Sequence, residues 1–113
     1  GVYNIADYRL EDVITTIDSP VRTRFVQAVT GAFRRYPDWE QMRETIREWC
    51  ESGFSLVEAA RRMHVHRNTL IYRLEKLNKE SGLDLKDFRT CLNLYLALVM
   101  DRYVGPAVKE EDL

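Results

Sequence analysis

The sequence predicts an all-α fold, a compact helical domain of about five to six helices that contains a helix-turn-helix. Three observations carry that reading. Apolar residues recur at helical spacing along the chain, helix start and stop signals divide the segments, and no stretch alternates with period two for long between turns. At 113 residues and 45% hydrophobic content, the chain suits one soluble domain with a usable core.

Asp7 precedes a short amphipathic run carrying Tyr8, Leu10, Val13, Ile14 and Ile17. Ser19-Pro20 reads as an N-cap followed by proline in the first turn. The helix it opens places Val21, Phe25, Val29 and Phe33 at helical spacing and stops before Pro37. Asp38 starts the next, with Trp39, Met42, Ile46 and Trp49 on one face, ending near Gly53. Ser55-Leu56-Val57-Glu58 has the pattern of a capping box and opens a short helix through about Met63. After a tight break at His64-Val65, a longer helix runs from about Arg67 to Glu80 and closes at Gly82. Asp84 is the expected cap of the last helix, which runs to about Tyr103 before Gly105-Pro106.

That last helix carries Leu92, Leu94, Tyr95, Leu96, Leu98, Val99 and Met100, so little polar face remains over two turns. Burial in the core is the favoured place for it, with a dimer contact as the second. The aromatics Phe25, Phe33, Trp39, Trp49 and Phe88 are read as core rather than as stacking platforms for bases. The expected organisation is N-terminal helices over 1–37 that pack against or link to an upstream region, a DNA-binding unit over 38–104, and an acidic tail over 105–113. With Gly1-Val2-Tyr3 at its start and no initiator Met, the chain reads as a piece of something longer.

Several function classes are disfavoured. The apolar run from Leu94 to Met100 is far too short to span a bilayer, and no signal peptide is visible. Cys50 and Cys91 are too few for a disulfide framework and suit semi-buried thiols in a reducing cytoplasm. His64 and His66, with both cysteines distant in sequence, make a poor zinc site, so no metal or cofactor is expected. No nucleophile–base pairing, glycine-rich phosphate loop or carboxylate motif stands out, which leaves an enzyme least supported.

The charge is informative only when located. The formal net charge is −1, yet between Arg61 and Lys79 the basic residues are Arg61, Arg62, Arg67, Arg73, Lys76 and Lys79, with Glu75 the only acid. The acids gather in Glu40 to Glu51 and in Glu110-Glu111-Asp112. A locally basic segment in an otherwise acidic chain is an electrostatic footprint for nucleic acid.

That segment has the layout of a helix-turn-helix, in which the second helix enters the groove. The small pair Ala59-Ala60 falls where the two helices must approach closely, Val65 can plug the angle between them, and Leu70, Leu74 and Leu77 form an inward stripe. At about 100° per residue, Asn68, Thr69, Tyr72, Lys76 and Lys79 cluster away from that stripe. Arg73 lies at the edge, and His66 and Arg67 stand at the helix start. Asn can pair with adenine and Arg with guanine, while Thr meets bases or phosphates. Arg61, Arg62, Lys76 and Lys79 are placed to meet the backbone.

The run Glu58-Ala59-Ala60-Arg61-Arg62-Met63-His64-Val65-His66-Arg67-Asn68-Thr69-Leu70-Ile71-Tyr72-Arg73-Leu74, followed by Ser81-Gly82-Leu83-Asp84-Leu85, resembles the C-terminal helix-turn-helix of the PucR/CdaR regulators. The resemblance extends to Tyr8–Val13, to Arg24-Phe25-Val26 and to the apolar stretch Leu92–Leu98, nearly the whole chain. It implies a regulator of purine, sugar-diacid or related catabolic genes that binds double-stranded DNA as a homodimer, with its effector bound by an upstream domain absent from this chain. The two-helix unit is also similar to that of the Fis nucleoid protein. That comparison implies groove-facing positions at His66, Arg67, Thr69, Tyr72 and Arg73, although Ile71 and Tyr72 stand where the Fis pattern has basic residues. The expected function is therefore sequence-specific DNA binding in the cytoplasm, with no membrane partner. The alternatives are a helical protein-interaction or dimerisation module and a Fis-like architectural DNA-bending protein.

Overall fold

Local hydrogen-bond chemistry sets where each helix begins and ends. The computed structural model describes residues 9–104. Among these it has six helices: α1 (Leu10–Thr15), α2 (Ser19–Arg34), α3 (Trp39–Glu51), α4 (Leu56–Met63), α5 (Arg67–Ser81) and α6 (Phe88–Val104). No strand occurs among the described residues, so the all-α expectation holds. Asp7, Tyr8, Gly105-Pro106 and the acidic tail lie outside them.

Two expected caps shift by a few residues. Asp18, not Ser19, is the N-cap of α2, and its carbonyl accepts the Arg22 N–H at 3.0 Å. Ser19 and Pro20 occupy the first turn, where proline's missing N–H is no loss. Asp87, not Asp84, caps α6: its carboxylate accepts the Thr90 N–H at 2.9 Å and the Thr90 hydroxyl at 2.8 Å. Asp84 instead accepts the Lys86 N–H at 2.9 Å, a local turn that delays the helix. Asp38 is the N-cap of α3, but its side chain makes no cap bond.

Apolar burial assembles these helices around α6. One core joins Phe33 of α2, Met42, Ile46 and Trp49 of α3, the α4 alanines, the α5 leucines and Leu94 and Leu98 of α6. A second core joins Ile14 of α1 and Val26 of α2 to Val99 and Met100 of α6. The last helix is thus central, the place its apolar composition favours. Trp49 Nε1–H donates to the Leu85 carbonyl at 2.8 Å and ties α3 to the α5–α6 connection. The buried Thr30 and Thr45 hydroxyls donate back to the Val26 and Gln41 carbonyls at 2.6 and 2.8 Å, so neither carries an unmet donor into the interior.

The apolar reading fails at Leu10, Val13, Val21, Phe88 and Leu92, all of which are exposed. Val21 is exposed, because the buried face of α2 runs through Val26, Thr30 and Phe33. Phe88, read as core, is 65% exposed and meets Phe54 edge-on at 6.3 Å between ring centroids. It occupies the first position of α6, and the apolar face of that helix is buried only from Cys91 onward. Among the described residues no helix is long and apolar enough to cross a membrane.

Candidate nucleic-acid interface

The turn between α4 and α5 determines how α5 is presented. At the start of α4 the Ser55 hydroxyl accepts the Glu58 N–H at 3.1 Å. The reciprocal half of the expected capping box is replaced, since the Glu58 carboxylate pairs with Arg61. At its end His64 takes a left-handed conformation with φ +56°, and the Val65 N–H reaches back to the Ala60 carbonyl at 3.0 Å. This six-to-one closure stops the helix sharply and reverses the chain. Val65 packs against the main core, and Ala59 and Ala60 are buried where α4 meets α5.

His66 then caps α5: its Nδ1 accepts the Asn68 N–H at 3.0 Å, which places the ring proton on Nε2. The first turn of α5 carries no acid, so the partial positive charge of the helix start is left uncompensated. Leu70, Leu74 and Leu77 are buried as the inward stripe. His66, Arg67, Asn68, Thr69, Tyr72 and Lys79 are all exposed, Tyr72 at 66%, and Arg73 is half-buried at the flank facing α3. Gly82, at φ +72°, ends the helix in the conformation glycine adopts most easily. At about 1.5 Å per residue, the 15 residues of α5 form a rod about 22 Å long, slim enough for the major groove of B-DNA.

Three of the expected backbone-contacting cations already have carboxylate partners. Arg61 pairs with Glu58, whose carboxyl that guanidinium holds below the usual range. Lys76 Nζ donates to Asp38 at 2.7 Å, a hydrogen bond that raises the ammonium and lowers the carboxyl. Arg62 is held most firmly, with Nε 2.7 Å from Glu48, Nη2 3.7 Å from Glu51 and Nη1 donating to the Glu51 carbonyl at 3.2 Å. The 2.7 Å contact to Glu48 is ionic and lies off the N–H direction, leaving that buried Glu48 oxygen with no hydrogen bond.

Arg73 also borders an open groove of about 450 Å³ whose other wall is α3, with Arg43 and Arg47. Neither arginine was singled out by the sequence reading. Their i, i+4 spacing on the flank of α3 is the available signal, masked by the surrounding acids of Glu40 to Glu51. Among the described residues no group of three or more His, Cys, Asp or Glu side chains gathers. Cys50 is a half-buried free thiol, which burial pushes up to about 12, and Cys91 is a buried one.

Comparison with known proteins bears on the same segment. Residues 42–100 match the family model described as the PucR C-terminal helix-turn-helix domain, from within α3 to within α6. The chain is 42% identical over 66 residues to the purine catabolism regulatory protein of Bacillus subtilis (strain 168), covering 58% of this chain and 12% of that protein. It is 33% identical over 92 residues to the uncharacterized protein YsfB of the same strain, covering 81% of this chain and 24% of that one. It is 37% identical over 60 residues to the carbohydrate diacid regulator of Escherichia coli (strain K12), covering 53% of this chain and 16% of that protein. The chain thus spans a minor part of each relative's length. No solved structure gives a significant match.

Proposed function

The chain belongs to the family of PucR C-terminal helix-turn-helix domains, and from that premise we propose that it is the sequence-reading part of a cytoplasmic transcription regulator, with α5 lying in the DNA major groove. The observation that carries this reading is the acid-free start of α5, capped by His66 and exposing Arg67, Asn68 and Thr69 opposite a buried leucine stripe. Those side chains, with Tyr72 and Arg73, contact base edges and nearby phosphates, and Lys79 meets the backbone. Solvent screens such surface ion pairs, so Arg61 and Lys76 exchange their carboxylates for phosphates at small cost. Arg62, tied to α3, serves the fold.

Relatives named for purine catabolism and carbohydrate diacid regulation favour catabolic genes as targets. Two copies acting on paired half-sites would multiply a modest single-site affinity, with the effector bound by an upstream region.

The test is fluorescence anisotropy of the chain with a random duplex and with DNA from upstream of the regulator's own gene, at two salt concentrations. A preference for the latter and a steep loss of affinity with salt are expected. Arg67→Ala should cost about 1–3 kcal/mol and flatten preference at one base position, whereas Lys79→Ala should weaken all sequences alike. A folded chain that binds neither duplex at low salt would sink the proposal. That outcome would favour a protein-interaction module, for which the exposed cluster of Phe54, Phe88 and Leu92 is the supporting observation.

A further inference from the structure

The groove beside α5 does not end at α3. Arg43 and Arg47 form part of its wall together with Arg73, and the same two arginines line an adjoining groove of about 210 Å³ with Arg102 of α6. Two grooves that share a wall place guanidiniums from three helices along one surface, starting at the flank of α5. The carboxylates facing this surface are Glu40, Glu44 and Asp101. Glu40 is taken by Arg43, and Asp101 by Arg34 at 2.8 Å. Arg47, Arg73 and Arg102 have no carboxylate within ion-pair distance among the described residues.

We propose that this arginine track binds the DNA phosphate backbone flanking the base-reading site, with Arg47 and Arg102 contacting phosphates beyond the reach of α5. The inference rests on the assignment of α5 to the major groove, because the track begins at Arg73 on that helix. Guanidiniums suit the role, since each presents a planar fork of donors that matches phosphate oxygens. Contacts of this kind add affinity and salt dependence without adding base preference.

The experiment measures binding of the 113-residue chain to a random duplex across a salt series. Arg47→Gln and Arg102→Gln should each make the slope of log affinity against log salt shallower by about 0.9, the loss of one phosphate contact. The affinity gap to the parent then narrows about 3.5-fold between 50 and 200 mM salt. Arg89→Gln is the control: it removes an exposed charge from the other end of α6, about 20 Å from Arg102, and should leave the slope unchanged. Arg47→Lys keeps the charge and should restore the slope, which separates a phosphate contact from a folding defect. Parent-like slopes for both glutamine variants would overturn the track and leave the α5 reading standing. Failure of the parent chain to bind any duplex would overturn both.

Discussion

Arg62 separates what a cation does for the fold from what it does for DNA. Its side chain is 33% exposed and lies against Glu48, whose own side chain is 16% exposed. The buried Glu48 oxygen has Arg62 Nε at 2.7 Å and no hydrogen-bond donor. Replacing Arg62 with Gln leaves that carboxylate facing an uncharged group and loosens α4 from the end of α3. A fully exposed pair contributes at most about 1 kcal/mol, and stranding a fully buried charge costs about 3–5 kcal/mol. With one partner a third exposed and the other mostly covered, the expected loss is about 1–2 kcal/mol. For a domain of this size that lowers Tm by about 4–8 °C. The assay is thermal unfolding by circular dichroism of Arg62→Gln, Glu48→Gln and the double variant, with a coupling energy of about 1 kcal/mol expected. DNA affinity, measured in parallel, should stay within about twofold of the parent. An unchanged Tm together with a tenfold weaker affinity would refute the reasoning and return Arg62 to the phosphate contacts.

Three further outcomes follow from the helix ends and the core. Leu70→Ala should destabilise the domain by about 2–5 kcal/mol in urea unfolding, since Leu70 is fully buried where α5 meets its neighbours. His64→Gly should raise stability by about 0.5–1 kcal/mol, because it relieves a side chain held at φ +56°; a loss of stability would show that the imidazole itself is needed. The Asp87 carboxyl, held below its ordinary value of 3.8 by hydrogen bonds from Thr90, stabilises the native state above that pH and ceases to as pH falls through its lowered folded-state value. Asp87→Asn should therefore flatten part of the acid limb of a stability–pH profile while leaving the alkaline side unchanged.

The all-helical fold and the α4–turn–α5 unit were legible because their signals are local. The leucine stripe of α5, the Ser55 start of α4, the Gly82 stop of α5 and the alanine pair all act within a few residues of themselves. Asp84 and Asp87 show where local reading blurs: both carboxylates accept a nearby N–H, and only Asp87 does so at the first turn of α6. Phe88 looked like core because composition does not reveal which end of an apolar helix is covered. The partners of Arg62 and Lys76 lie up to 38 residues away in sequence, so their ion pairs arise only when α3 is laid across the other two helices. Arg43 and Arg47 were obscured by the acids around them in sequence, of which Glu40 does pair with Arg43, while Arg47 has no carboxylate within ion-pair distance among the described residues.

The carboxylates that hold Arg61, Arg62 and Lys76 also bear on how such a protein would search a genome. Affinity for arbitrary DNA grows with the number of cations free to displace counterions. A domain whose cations are partly occupied by its own acids attracts random duplex less strongly and leaves it sooner. The cost falls on both correct and incorrect sites, but base-edge contacts from the start of α5 restore it only at the correct one. Self-neutralisation thus leaves the ratio between operator and background to the base-edge contacts, while it shortens the stay on every other site. Less of the regulator is then held on the vast excess of sites it has no need to occupy.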